Sequence, residues 1–348
     1  MTEIAADHPL LRHEGRIDLA NPREVELIYA GSSVRARFVG TSIAVRASNR
    51  HHKFENALGY VLDGIEGKIV LDEAPGPRVY PIAEGLGQGP HELVVFKRTD
   101  GELHYCAIHA LILSDGARLL ALPQPPERRI ECYGDSVCSG EVVEANDYLA
   151  AKDPEDHGGR YSNSWRSFSM LTARELGAEL HNNAQGGIAV LDGTGFFANR
   201  TLGLVSTWDK LRYNPAFGPA TEWDFSRFDP HVVIMALGQN DSKPDDYIDA
   251  DPARRALWKE AYAGVIKSLR AKRPRALFVV LTTIMNHEPG WDAALDEMVA
   301  DLADPKVVRF RFTRVGVGTP GHPRVAEQEE MATELAAFLS SFGPGIWE

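Results

Sequence analysis

The 348-residue chain is 44% hydrophobic and 25% charged, the profile of a folded globular protein, and its length suits two domains better than one. A net charge of -12 with no Lys/Arg-rich stretch offers no footprint for a phosphate backbone, which argues against a nucleic-acid partner. No apolar run is long enough to span a bilayer, and Met1-Thr2-Glu3-Ile4-Ala5-Ala6-Asp7-His8 lacks a basic n-region and an apolar h-region, so no membrane partner and a cytoplasmic location are expected.

From about Ile17 to Leu113 the apolar residues recur with period two. Val34, Ala36 and Phe38 alternate with Arg35 and Arg37, and Ile43 and Val45 continue the pattern after Gly40-Thr41. Further short runs are punctuated by Asp63-Gly64, Pro75-Gly76-Pro77 and Thr99-Asp100-Gly101. Many short strands without a convincing helix predict an all-β, jelly-roll-like sandwich over residues 1–120. Residues 121–129, with Pro123, Pro125 and Pro126, read as a semi-rigid linker.

Beyond it, over 130–348, the pattern changes. Apolar strands at Arg129–Tyr133, Leu180–Asn183, Val232–Leu237, Leu277–Thr282 and Val307–Phe312 alternate with helical stretches at Ser164–Leu176, Ala253–Ala271, Trp291–Leu302 and Val325–Phe342. That alternation predicts an α/β domain with a parallel sheet covered on both faces and a site at the carboxyl ends of its strands.

Four blocks sit at such ends. Gly134-Asp135-Ser136-Val137 can present a serine hydroxyl on a tight turn. Asn182-Asn183-Ala184-Gln185-Gly186-Gly187 can bring a backbone N–H close to a reacting carbonyl. Gly238-Gln239-Asn240-Asp241 delivers an uncharged amide donor, and Gly321-His322-Pro323 holds an imidazole between a small and a rigid neighbour. Each block alone is compatible with an ordinary turn; their joint order at successive strand exits is what points to acyl transfer.

In that order the chain resembles the SGNH (GDSL-type) hydrolases, through Gly134-Asp135-Ser136, Gly187, Gly238-Gln239-Asn240-Asp241 and His322-Pro323. With a β-sandwich ahead of Arg129-Ile130-Glu131-Cys132-Tyr133-Gly134-Asp135-Ser136, it resembles carbohydrate esterase family 2 more narrowly. The resemblance implies a three-layer α/β/α, flavodoxin-like catalytic domain, with Ser136 as nucleophile, His322 as base, and Ser136, Gly187 and Asn240 as the oxyanion hole. It also implies acetylated oligosaccharides from xylan or mannan as substrates and no cofactor. The positions where many relatives carry an Asp to hold the His are Thr319 and Pro320 here. The resemblance to family 2 esterases, members of which work as Ser–His dyads, implies a dyad oriented by a main-chain carbonyl here, in preference to Asp135, Asp241 or Asp292.

The remaining candidates have blander readings. Trp291, in Glu288-Pro289-Gly290-Trp291, is the tryptophan expected to stack on a sugar, ahead of Trp208 and Trp223, and His287 is expected at the surface. His51-His52 reads as a solvated strand end with no third metal ligand, and Cys106, Cys132 and Cys138 read as buried thiols. Phe196, Phe197, Leu202, Leu204 and Val205 keep a lipase or thioesterase with an apolar groove open, and a non-catalytic carbohydrate-binding protein is the remaining alternative.

Overall fold

A computed structural model of the chain describes residues 1–196 and 201–348. In its front part, Ser33–Val39 and Ser42–His51 bury every second residue, as the alternation requires. Val34, Ala36, Phe38, Val45 and Ala47 all face one core, together with Leu93, Val95, Ile108 and Leu111. Two six-stranded sheets enclose it. The first is built around His104–Leu113 and Ser42–His51, and the second around Ser33–Val39 and Pro90–Lys97; these central pairs are antiparallel. The result is a β-sandwich whose last strand is Arg118–Leu120.

Ala121 to Glu127 form no regular element. The parallel strands then follow: β1 (Arg128–Gly134), β2 (Ala178–Asn182), β3 (Val232–Ala236), β4 (Leu277–Leu281) and β5 (Val307–Arg309), in the spatial order β2-β1-β3-β4-β5. These strands read as unbroken apolar runs because both faces are covered. Val232, Ile234 and Ala236 point into a core shared with α1 (Ser136–Ser139), α2 (Phe168–Glu175) and α5 (Val325–Ser340). Val233, Met235 and Leu237 point to the opposite core, under α3 (Pro252–Lys272) and α4 (Pro289–Leu302). This is the three-layer α/β/α fold that the sequence predicts. Its strand order reverses at β1, which opens a crevice above that strand's carboxyl end.

Two elements differ from expectation. The helix predicted over Ser164–Leu176 is broken: Ser164–Arg166 form a 3-10 turn, and Ser167 in extended conformation caps the shorter α2. The strand predicted to run to Phe312 stops at Arg309; Phe310 keeps one backbone bond to the Val280 carbonyl, and Phe310 and Phe312 pack in the core beside α5.

The two domains share buried contacts. Arg16 of the sandwich inserts between them, with its guanidinium 3.0 Å from the carboxylate of Glu131 on β1. Phe96 stacks on Trp165 with ring centroids 5.1 Å apart. The Tyr105 hydroxyl accepts from the backbone N–H groups of Tyr213 and Asn214.

Candidate active site

Ser136 owes its position to its neighbours. A Cβ on Gly134 would lie 2.2 Å from Cys138 Sγ, so only glycine lets β1 turn this tightly into α1. Asp135 caps the helix, its Oδ1 accepting the Val137 N–H at 3.0 Å, while Oδ2 accepts from Gln239 Nε2 at 2.7 Å. Burial pushes the Asp135 carboxyl up to about 6 despite these bonds. The turn ends at Gly140 in the left-handed region, where a Cβ would strike the Asn163 carbonyl at 2.4 Å. Ser136 thereby opens α1 directly at the exit of β1 and lines a cavity of about 340 Å³.

His322 lines the same cavity. Its backbone N–H donates to Asp153 Oδ1 at 3.0 Å, and its Nδ1 lies 2.6 Å from Asp153 Oδ2. Gly321 permits this approach, since a Cβ there would fall 2.7 Å from Asp153 Oδ1. Buried Arg324 holds the same carboxylate at 2.8 Å. With Nδ1–H committed to Asp153, the lone pair of Nε2 faces the cavity, where Glu141 Oε2 is 3.9 Å away. Burial alone would lower the pKa of His322. The hydrogen bond to Asp153 and the charges of Glu141, Asp153 and Asp135 outweigh it, and the imidazole ends above its ordinary value. Burial likewise opposes ionisation of Asp153, yet the bonds from His322 and Arg324 hold its carboxyl well below the usual range.

The group that orients His322 is thus the Asp153 side chain, in place of the expected main-chain carbonyl, and Ser136 lines the same cavity. The three carboxylates weighed from the sequence have other partners. Asp135 caps α1. Asp241 accepts from the Val190 and Leu191 N–H groups, and Asp292 binds Thr282, His287 and Arg309. No periodic pattern marks Asp153, which lies 169 residues from His322 in an irregular segment. The dipeptide Asp153-Pro154, a turn signal, is the one local cue.

The oxyanion candidates share the serine's cavity. Gly187, at φ +69, and Asn240 both line the cavity. Asn240 Nδ2 donates to the Ile188 carbonyl at 3.0 Å and more weakly to Asp135 at 3.3 Å, so the second N–H is the one that can turn to an oxyanion. The preceding N–H, that of Gly186, donates at 2.8 Å to Asp100 Oδ2, a carboxylate from the sandwich. All four blocks singled out in the sequence therefore meet in one cavity.

Several other expectations are corrected. Trp291 does not reach the site: it is 0% exposed and packs edge-on against Tyr247 and Trp258. Trp208 packs on Phe225, and Trp223 is buried beside Arg16 and Arg227. His287 is no surface residue; its ring is enclosed between the Met285 carbonyl and Asp292. His51 ends its strand as expected, with Nε2 2.9 Å from the Phe54 carbonyl. The three cysteines are buried and free. Among the apolar residues that kept a lipase groove open, Phe196 borders the cavity, Leu204 is buried in the core, Leu202 and Val205 pack beside cores, and Phe197 lies outside the described residues.

The contribution of the sandwich has no signal in the sequence: Lys53, Phe54, Thr99, Asp100, Glu102 and Leu103 all line the cavity. The wall is rich in carboxylates, with Asp100, Glu102, Glu141 and Asp153 against one lysine. Among the described residues no group of three or more His, Cys, Asp or Glu side chains is placed to hold a metal ion, and no helix is long and apolar enough to cross a membrane.

Residues 13–123 match the family model described as carbohydrate esterase 2 N-terminal. The chain is 28% identical, over 96% of its length, to the cellulase/esterase CelE of Acetivibrio thermocellus, and it spans 40% of that protein. It is 24% identical over 97% of its length to an acetylxylan esterase / glucomannan deacetylase of Cellvibrio japonicus, covering 90% of it. A family two carbohydrate esterase from Clostridium thermocellum, solved with cellohexaose, superposes with a TM-score of 0.81 at 26% identity, covering 96% of this chain and 99% of that one.

Proposed function

We propose that this chain, an SGNH-type hydrolase built like the family 2 carbohydrate esterases, is a serine esterase that removes O-acetyl groups from carbohydrates through an acetyl-enzyme. The observation that carries this reading is the Asp153 carboxylate 2.6 Å from Nδ1 of His322, whose ring shares one cavity with Ser136, Gly187 and Asn240.

His322 Nε2 takes the proton of Ser136 as its oxygen attacks the acetyl carbonyl, and Asp153 stabilises the imidazolium that forms. The oxyanion is held by the backbone N–H groups of Ser136 and Gly187 and by the Asn240 amide. Nε2 then returns its proton to the leaving sugar oxygen. In the second half, Nε2 deprotonates a water that attacks the acetyl ester, and acetate leaves as Ser136 regains its proton.

The acyl side needs room only for a methyl group, and carboxylates around the cavity suit sugar hydroxyls better than an alkyl chain. The finer reading, short oligosaccharides from xylan or mannan, is supported by the named activities of the Cellvibrio japonicus relative. Acetate release from acetylated xylo- and manno-oligosaccharides should therefore be readily measured, and turnover of p-nitrophenyl esters should fall steeply from acetate to butyrate to octanoate. A preference for octanoate would move the assignment to a lipase or thioesterase, and binding of the sugars without acetate release would move it to a carbohydrate-binding protein.

A further inference from the structure

Phe54 is a bulky residue in a conformation that side chains avoid. Its φ is +63, the left-handed region in which a Cβ crowds the backbone. Burial does not account for it, because 46% of the residue remains exposed. The conformation is enforced from both domains. The Phe54 carbonyl is 2.9 Å from His51 Nε2, and the next N–H, that of Glu55, donates to the Gly158 carbonyl of the hydrolase domain at 2.8 Å. Gly159 leaves the space required, since a Cβ there would lie 2.9 Å from the Glu55 carbonyl and 3.2 Å from Phe54 Cβ.

The position is over-determined by its surroundings, and strain of this kind persists where the placement of a side chain serves a function. The ring stands at the cavity that holds Ser136 and His322, with His157 beside it at 6.3 Å. Glu141 supplies a hydrogen-bond acceptor elsewhere on the wall. An aromatic ring with the Lys53 ammonium 5.2 Å from its centre and a carboxylate on the same cavity wall matches a pyranose, whose C–H faces are apolar and whose rim carries hydroxyls.

We propose that Phe54, from the β-sandwich, is the platform on which the ester-bearing sugar ring stacks, taking the role that Trp291 cannot fill. This rests on the carbohydrate-esterase reading and names its sugar subsite.

The test separates binding from turnover. In a Ser136→Ala background, binding of xylohexaose and cellohexaose is titrated by calorimetry with Phe54 intact or changed to Tyr, Asn or Gly. Asn and Gly accept the left-handed conformation but carry no ring. Both are expected to weaken binding of at least one glycan about 5- to 10-fold, with Tyr close to the parent. Their melting temperatures should stay within about 1 °C of the parent or rise, because strain is relieved. Affinity within two-fold of the parent in Asn and Gly would overturn the proposal. So would a fall of several degrees in melting temperature with affinity intact, the mark of a packing residue, or failure of the parent to bind either glycan. Acetate release by the unmodified chain judges the esterase reading separately.

Discussion

Both oxygens of the Asp153 carboxylate are taken up by His322: Oδ2 lies 2.6 Å from the ring Nδ1 and Oδ1 accepts the main-chain N–H at 3.0 Å. One side chain thus fixes the tautomer and the plane of the imidazole together. Asp153→Ala and Asp153→Asn are each expected to lower kcat by about 10²- to 10⁴-fold with a much smaller change in KM. Thr319→Ala, which removes a buried hydroxyl without a partner among the described residues, should cost no more than a few-fold. Steady-state kinetics on an acetylated sugar distinguishes these, and equal losses at 153 and 319 would contradict the assignment of Asp153.

The pH profile follows from the same contact. A base works only when neutral, and the pKa of His322 is raised, so kcat/KM should fall on the acid side through a pKa above the ordinary 6.5. The groups that set it are Asp153, Glu141 and Asp135. Asp153→Asn removes a group that favours the imidazolium and should move the acid limb to lower pH even as the rate drops. Glu141→Gln should move it in the same direction by less. A limb that stays in place in both variants would show that another group controls it.

Asp100 ties the sandwich to the chemistry. Its Oδ2 accepts the Gly186 N–H at 2.8 Å, one residue before the proposed oxyanion donor. Its own carbonyl is gripped by the fully buried Lys97, whose amine burial pushes down to about 7. Asp100→Ala frees the 186–187 turn and should cost about 10- to 100-fold in kcat, mostly without raising KM for p-nitrophenyl acetate. A pure KM effect would instead make Asp100 a substrate contact.

Glu131 lies fully buried between Arg16 of the sandwich and Arg273 at the end of α3, at 3.0 and 3.2 Å. Removing one partner of such a cluster strands a charge in a low-dielectric interior. Arg16→Ala is therefore expected to destabilise the protein by about 3–5 kcal/mol in chemical denaturation, and a loss under about 1 kcal/mol would count against this view of the interface.

What could be read from the sequence follows a physical division. Strand exits carry their signal locally, so Ser136, Gly187 and Asn240 stand out where a small or polar turn ends an apolar run, whereas His322 lies beyond the strand that ends at Arg309, just ahead of α5. Asp153 and Phe54 act through contacts made only after the chain folds, and neither lies in a periodic element. Trp291 departs from expectation for a different reason. Glu288-Pro289-Gly290 resembles a loop, but proline at the first helical position opens α4, and the following turn faces the core. The break at Ser167 is similar, since a run that suits a helix is interrupted where a serine side chain competes for the backbone N–H of Met170.

The most direct test of the central claim is reaction of the protein with a fluorophosphonate, with intact mass, the modified peptide and acetate release followed together. The expected result is one adduct per chain, on Ser136, forming in step with loss of esterase activity, strongly slowed in His322→Ala and absent in Ser136→Ala, which is itself inactive. An adduct on another residue, or Ser136→Ala retaining more than a few per cent of turnover, would contradict it.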